Sequence, residues 1–164
     1  MSVLPRVSPS TRELTSREFD DIGPGASVSQ IVQDLERNNP ELLNMASQWV
    51  NDLDDRDRVM TAFSMFYRLL TAEVGAPGGD SGLSPLPRVS HEARIMIVER
   101  IDSEGEEAFS LNAMGEMDRS NPELLQMADY FASDRADYAQ VMRGFALLYA
   151  TLQLQSDLDR RSAH

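Results

Sequence analysis

Cysteine and lysine are both missing from this chain of 164 residues, and histidine occurs only twice. Without a thiol there is no disulfide, no thiolate metal site and no cysteine nucleophile, and the redox compartment is left undetermined. Without lysine there is no Schiff-base amine and no P-loop lysine to grip a phosphate. Every one of the 15 basic residues is arginine. A GC-rich genome explains that more simply than a demand for bidentate carboxylate pairing. Long apolar runs are missing too: none approaches the roughly 18 residues of a membrane span. The opening "MSVLPRVSPSTRE" has no apolar segment of the kind a signal peptide needs. The expectation is a soluble, cytoplasmic protein.

Positive charge is scarce. The chain has 27 acids against 15 bases, a net −12. A surface of that sign disfavours nucleic acid and anionic membrane as partners, because both require basic contacts.

Catalytic motifs are equally thin. His164 is terminal, and His91 would have to serve any triad alone. The sequence has no HExxH, no ExxH and no Gly-rich phosphate loop. "NDLDDRDR" (51–58) has the acids of a calcium loop, but it lacks the central Gly and puts Phe63 where the bidentate Glu belongs. No catalytic, cofactor-binding or metal-ligating residue is assigned, no cofactor is expected, and an enzyme is the less favoured reading.

What the sequence does contain is itself, twice. "NPELLNMA" (39–46) returns as "NPELLQMA" (121–128), 82 positions on. The same shift lays Leu4-Pro5-Arg6-Val7-Ser8 on Leu86-Pro87-Arg88-Val89-Ser90, Arg12 on Arg94, Gly23 on Gly105, Phe63 on Phe145 and Tyr67 on Tyr149. Roughly a third of positions agree without a gap, which reads as a tandem duplication. Residues 1–74 form a first repeat and 86–164 a second, joined by the Gly/Pro/Ser-rich linker 75–85. Two repeats are too few for an open solenoid. The expectation is one compact domain in which they close about a pseudo-two-fold axis, like the fused subunits of a dimer.

Each repeat predicts three or four helices. Asn39 and Asn121 are expected N-caps, each with proline at the first helical position and glutamate behind it at the positive end of the dipole. A shorter helix precedes each: Val28, Ile31, Val32 and Leu35 in one copy, Phe109, Ala113, Met114 and Met117 in the other, the latter opened by a Ser103…Glu106 capping box. The longest helices fall near 55–73 and 136–155, the first capped by Asp54 or Asp55. The first is apolar around most of its circumference, with Thr61, Ser64 and Arg68 as a narrow polar stripe, so it belongs in a core or an interface. "HEARIMIVERI" gives a fourth helix with Ser90 as N-cap. Its counterpart "PSTRELTSREFDDI" is more polar. With no alternating strands, the fold class is all-α: a helical bundle of two repeats.

The expected repeat interface brings the long helices together at Ala62 and Gly144, with Phe63, Phe145, Tyr67 and Tyr149 beside the crossing. The acidic run "ERIDSEGEE" (99–107) supplies the partner-binding candidates Glu99, Asp102, Glu104, Glu106 and Glu107. Nine methionines fit irregular cores, and also grooves that accept varied helices. Two functions follow. The first is an acidic adaptor, chaperone or inhibitor that binds a basic or amphipathic segment of a protein partner. The second is a small-molecule binder or enzyme with a pocket between the repeats, near Tyr67 and Tyr149. A DNA mimic fits less well, because arginines interrupt the acids. The composition is also compatible with a homo-oligomer.

Overall fold

The computed structural model describes residues 4, 6–51, 53, 56–74, 86–133 and 136–162. Among them the chain is all-helical: α1 Pro9–Ile22, α2 Pro24–Asn38, α3 Pro40–Asn51, α4 Arg56–Val74, α5 His91–Glu104, α6 Glu106–Ser120, α7 Pro122–Ala132 and α8 Tyr138–Ser162. The expected linker 75–85 and the proposed caps Asp54 and Asp55 lie outside the described residues, as does most of the acidic part of the calcium-like run. No described helix is long and apolar enough to cross a membrane.

Local chemistry sets the helix boundaries. Ser8 and Ser90 each cap a helix, their hydroxyls accepting the amides of Thr11 (3.2 Å) and Ala93 (3.1 Å). Gly23 and Gly105 then turn the chain between helices at φ +98° and +93°, a region that costs glycine little. The same geometry corrects the Ser103…Glu106 capping box. Ser103 lies inside the last turn of α5, Gly105 makes the break, and α6 starts at Glu106 with no side-chain cap. The more polar α1 is nonetheless a full helix, docked by Thr11, Thr15 and Phe19. The last helix runs on to Ser162, beyond the expected end near 155.

In the first half α4 packs on α1, α2 and α3; in the second, α8 packs on α5, α6 and α7. Between the halves α4 meets α7 and α3 meets α8, so a single apolar core runs through both. Phe63, Phe66, Leu69, Leu70, Phe145 and Tyr149 sit at its centre, almost fully buried. Burying side chains of this size stabilises by roughly 1.5–3 kcal/mol each. The polar stripe expected on α4 is split: Ser64 is fully buried and its hydroxyl has no hydrogen-bond partner, whereas Thr61 and Arg68 are partly exposed, Arg68 beside Glu18 at 3.3 Å.

Candidate functional site: an apolar pocket beside an acidic corner

The duplicated motif acts across the molecule rather than along its own helix. Pro40 and Pro122 do open α3 and α7, but the Asn121 side chain makes no capping bond. Its Oδ1 accepts the backbone N–H of Val7 at 2.9 Å. Asn39 Oδ1 accepts the N–H of Val89 at 2.9 Å, and its Nδ2 donates to the Pro87 carbonyl at 2.8 Å. Asn121 holds the N-cap position of α7, but the expected side-chain cap is corrected. Both asparagines are buried, and the extended arm beside each brings a buried amide that would otherwise be unpaired, so the arm takes the side chain. The glutamates repeat the exchange: Glu41 binds Arg94 at 2.6 Å and Glu123 binds Arg12 at 3.0 Å. Through Asn39 and Glu41, arm 86–90 and the start of α5 are fastened to the first half, while Gln155 of α8 holds the N–H and hydroxyl of Ser90 within the second, at 2.9 and 2.8 Å.

Fastening α5 there completes a pocket of 450 Å³ between α3 of the first half and α5, α6 and α8 of the second. Met45, Trp49, Ile97, Val98, Phe109 and Leu147 give it an apolar lining. Trp49, the sole tryptophan, packs against α8 at Gly144, where there is no side chain to displace it. A Cβ at Gly144 would stand 1.9 Å from the indole. The indole N–H donates to the Gln140 carbonyl at 3.3 Å, and the ring meets Phe145 edge-on at 5.1 Å.

The polar lip of the pocket includes Gln48, Arg94, Arg143 and Glu106. Arg94 is engaged by Glu41 and by Gln48 (3.4 Å). Among the described residues Arg143 pairs with Glu106 alone, at 3.8 Å. Beyond the lip lies the acidic corner where α5 turns into α6. Arg100 neutralises Glu104 (3.5 Å) and covers the Phe109 ring at 5.6 Å. Glu99, Asp102 and Glu107 are exposed and form no ion pair with a described residue. Asp102 stands one helical turn from Val98, an apolar lining residue that is 56% exposed.

The structure therefore brings the candidate acids Glu99, Asp102, Glu104, Glu106 and Glu107 to one corner, with Glu106 on the pocket lip itself. It places the interface candidates Ala62, Phe63, Tyr67, Phe145 and Tyr149 in the core. Trp49 stands over Gly144. Phe145 does reach the first half, 5.3 Å from the Phe66 ring. Tyr67 and Tyr149 do not line this pocket. Tyr67 instead donates to Asp34 at 3.1 Å, and burial, then the neighbouring carboxylate, push its hydroxyl well above the ordinary tyrosine range. Of the methionines only Met45 lines the pocket. His91 is exposed at the first position of α5. No three His, Asp or Glu side chains among the described residues come together as metal ligands.

Trp49, Ile97, Val98 and Arg143 escaped sequence reasoning, because pocket residues drawn from four helices share no spacing. The one available signal was Gly144, a helical glycine that has to admit something large. Comparison of the chain with protein-family models, with curated proteins and with solved structures finds no match.

Proposed function

We propose that this protein is an interaction module that holds a cationic amphipathic segment of a partner protein. An apolar anchor of the partner enters the pocket on Trp49, and its basic side chains lie over Glu99, Asp102, Glu106 and Glu107. The observation that carries this reading is the apolar pocket beside Glu99, Asp102 and Glu107, which no described residue neutralises. On a chain of net −12 such a corner also attracts cationic segments over distance. We further propose that the scaffold is a fused dimer with pseudo-two-fold packing. The starts of α1–α4 recur in α5–α8 at the 82-residue offset, and the Asn39–Val89 and Asn121–Val7 bonds are reciprocal, which supports that reading.

The test is affinity capture from the native host with the wild type and a Glu99→Gln/Asp102→Asn/Glu107→Gln variant. We expect a partner with a basic amphipathic segment, lost in the variant and weakened as salt shortens the screening length toward about 3 Å. Capture indifferent to both the variant and salt would overturn the reading. The second reading, a small-molecule site, draws on the volume of 450 Å³, which lies within the roughly 300–1,000 Å³ of ligand pockets. A ligand that shifts Trp49 fluorescence with no dependence on the three acids would favour it.

A further inference from the structure

The lip of the pocket carries an ion pair that does little for the fold. Arg143 Nη1 stands 3.8 Å from Glu106 Oε1, beyond hydrogen-bonding distance, and the two side chains are 40% and 68% exposed. Pairs of that kind are weak and easily exchanged. Both residues line the pocket. Both belong to the second half only: the aligned positions in the first half hold Thr61 and Pro24. Arg143 is therefore a cation presented to the acidic lip by the protein's own α8, at the mouth where a cationic ligand would place its own.

Resting on the reading above, we propose that Arg143 is a built-in competitor: it occupies Glu106 in the free protein, and a basic side chain of the bound segment displaces it. Glu106 is then the specificity-determining acid of the pocket, and Arg143 sets the affinity threshold. Arg94 does not share this role, because Glu41 and Gln48 already hold it. Charge complementarity favours a cationic occupant over an anionic one. Once Arg143 and Glu106 cancel, Glu99, Asp102 and Glu107 are the charges left over at the corner.

The probes are two short Trp-free helical peptides, one of Leu and Lys and one of Leu and Glu, followed through the fluorescence of Trp49 on the full chain. The substituted side chains are exposed, and far-UV circular dichroism verifies folding. The Leu/Lys peptide should bind the wild type, bind Arg143→Gln about two- to fivefold more tightly, and bind Glu106→Gln more weakly by a similar factor. With Glu106→Gln already in place, Arg143→Gln should bring little further gain. Equal tightening in both backgrounds would reduce Arg143 to a general field effect and overturn the inference. Weaker Leu/Lys binding to Arg143→Gln would also overturn it, as would Arg143-dependent binding of the Leu/Glu peptide. A Leu/Lys peptide that binds neither the wild type nor Arg143→Gln would sink the parent reading as well, so the two failures are distinguishable.

Discussion

Residues 4–8 and 86–90 carry the same five letters, and Val7 and Val89 use the same backbone bond to an asparagine of the opposite half. Residues 17–25 and 99–107 occupy equivalent helix–glycine–helix corners and share little else. In the first corner Arg17 binds Glu13 at 2.6 Å and Glu18 meets Arg68 at 3.3 Å. In the second, Ala150 replaces that arginine and glutamates replace Pro24 and Gly25. The lining of the pocket shows the same contrast. Only Met45 and Arg94 keep their residue type in the other half, as Met127 and Arg12, whereas Trp49, Ile97, Phe109 and Gly144 face Phe131, Thr15, Ser27 and Ala62. The halves agree where they hold each other and differ where a ligand could be held. Burial explains the agreement: an unpaired buried amide is expensive in either half, whereas an exposed corner is free to vary.

The sharpest way to break this comparison is to cut the clasp on one side. Asn39→Ala leaves the Val89 amide and the Pro87 carbonyl without their partner, and should cost about 2–3 kcal/mol in urea unfolding. Asn121→Ala strands the Val7 amide and should cost about 1–3 kcal/mol. A simple helix cap would cost about 1 kcal/mol. If either variant loses less than that, the clasp is not shared by the two halves.

The next effect concerns Trp49 and Gly144. A Cβ at Gly144 meets the indole at 1.9 Å, so Gly144→Ala forces the ring to shift. The overpacking of about 1–3 kcal/mol should outweigh the ~1 kcal/mol that Ala gains in helix propensity. Ala62→Gly, with no tryptophan aligned opposite, should cost only about 1 kcal/mol. Transplanting the aligned pair, Phe131 with Ala62, as Trp49→Phe with Gly144→Ala should recover part of the loss. A single Gly144→Ala variant that melts like the wild type would show that the indole moves freely.

How far the sequence could be read follows from the range of each interaction. Ser90, Pro40 and Pro122 act within a turn or two of themselves, so the helix starts around them were legible, whereas the break at Gly105 was passed over for the Ser103…Glu106 pattern. Leu35, Met117 and the apolar face of α4 were legible as core because periodicity reports burial. Asn39 was misread because a side chain beside a helix start has two competing clients. Which one wins depends on a strand of chain 48 residues away in the case of Pro87. The acids of 99–107 could be named in advance, but their neighbour Trp49 could not, because nothing local connects α3 to α5.

A smaller effect tests the outer part of the clasp. Arg94–Glu41 and Arg12–Glu123 are both mostly shielded, with side-chain exposures of 25%/30% and 30%/22%. Solvent still screens them, so Arg94→Gln and Arg12→Gln should each cost no more than about 1 kcal/mol, less in high salt. Arg94→Gln should also alter the response of Trp49 to bound peptide, because Arg94 lines the pocket. Arg12→Gln should leave that response unchanged. Identical responses would mean the two arms are equivalent at the pocket as well as at the clasp.

The smallest effect at neutral pH distinguishes the aligned tyrosines. Tyr67 donates to Asp34 at 3.1 Å, whereas the acid aligned with Asp34, Glu116, is engaged by Arg119 at 2.8 Å and by Ser120 at 2.9 Å. Burial and then the Asp34 carboxylate hold the Tyr67 hydroxyl above its ordinary value of 10.0. Tyr138 shifts the same way, through its bond to Asp129. A raised folded-state value means the folded protein keeps the proton longer than the unfolded chain does. The corresponding stability is fully present below about pH 10 and is lost as pH rises from there toward the folded value. Because the chain has no lysine, tyrosines dominate titration in that window, and the loss can be read without the usual background. Tyr67→Phe should cost about 0.5 kcal/mol at pH 7 by removing the bond to Asp34. Between pH 9 and about 11.5 the variant should lose stability more gently than the wild type, as measured by urea unfolding at several pH values. Parallel profiles would place the alkaline loss elsewhere.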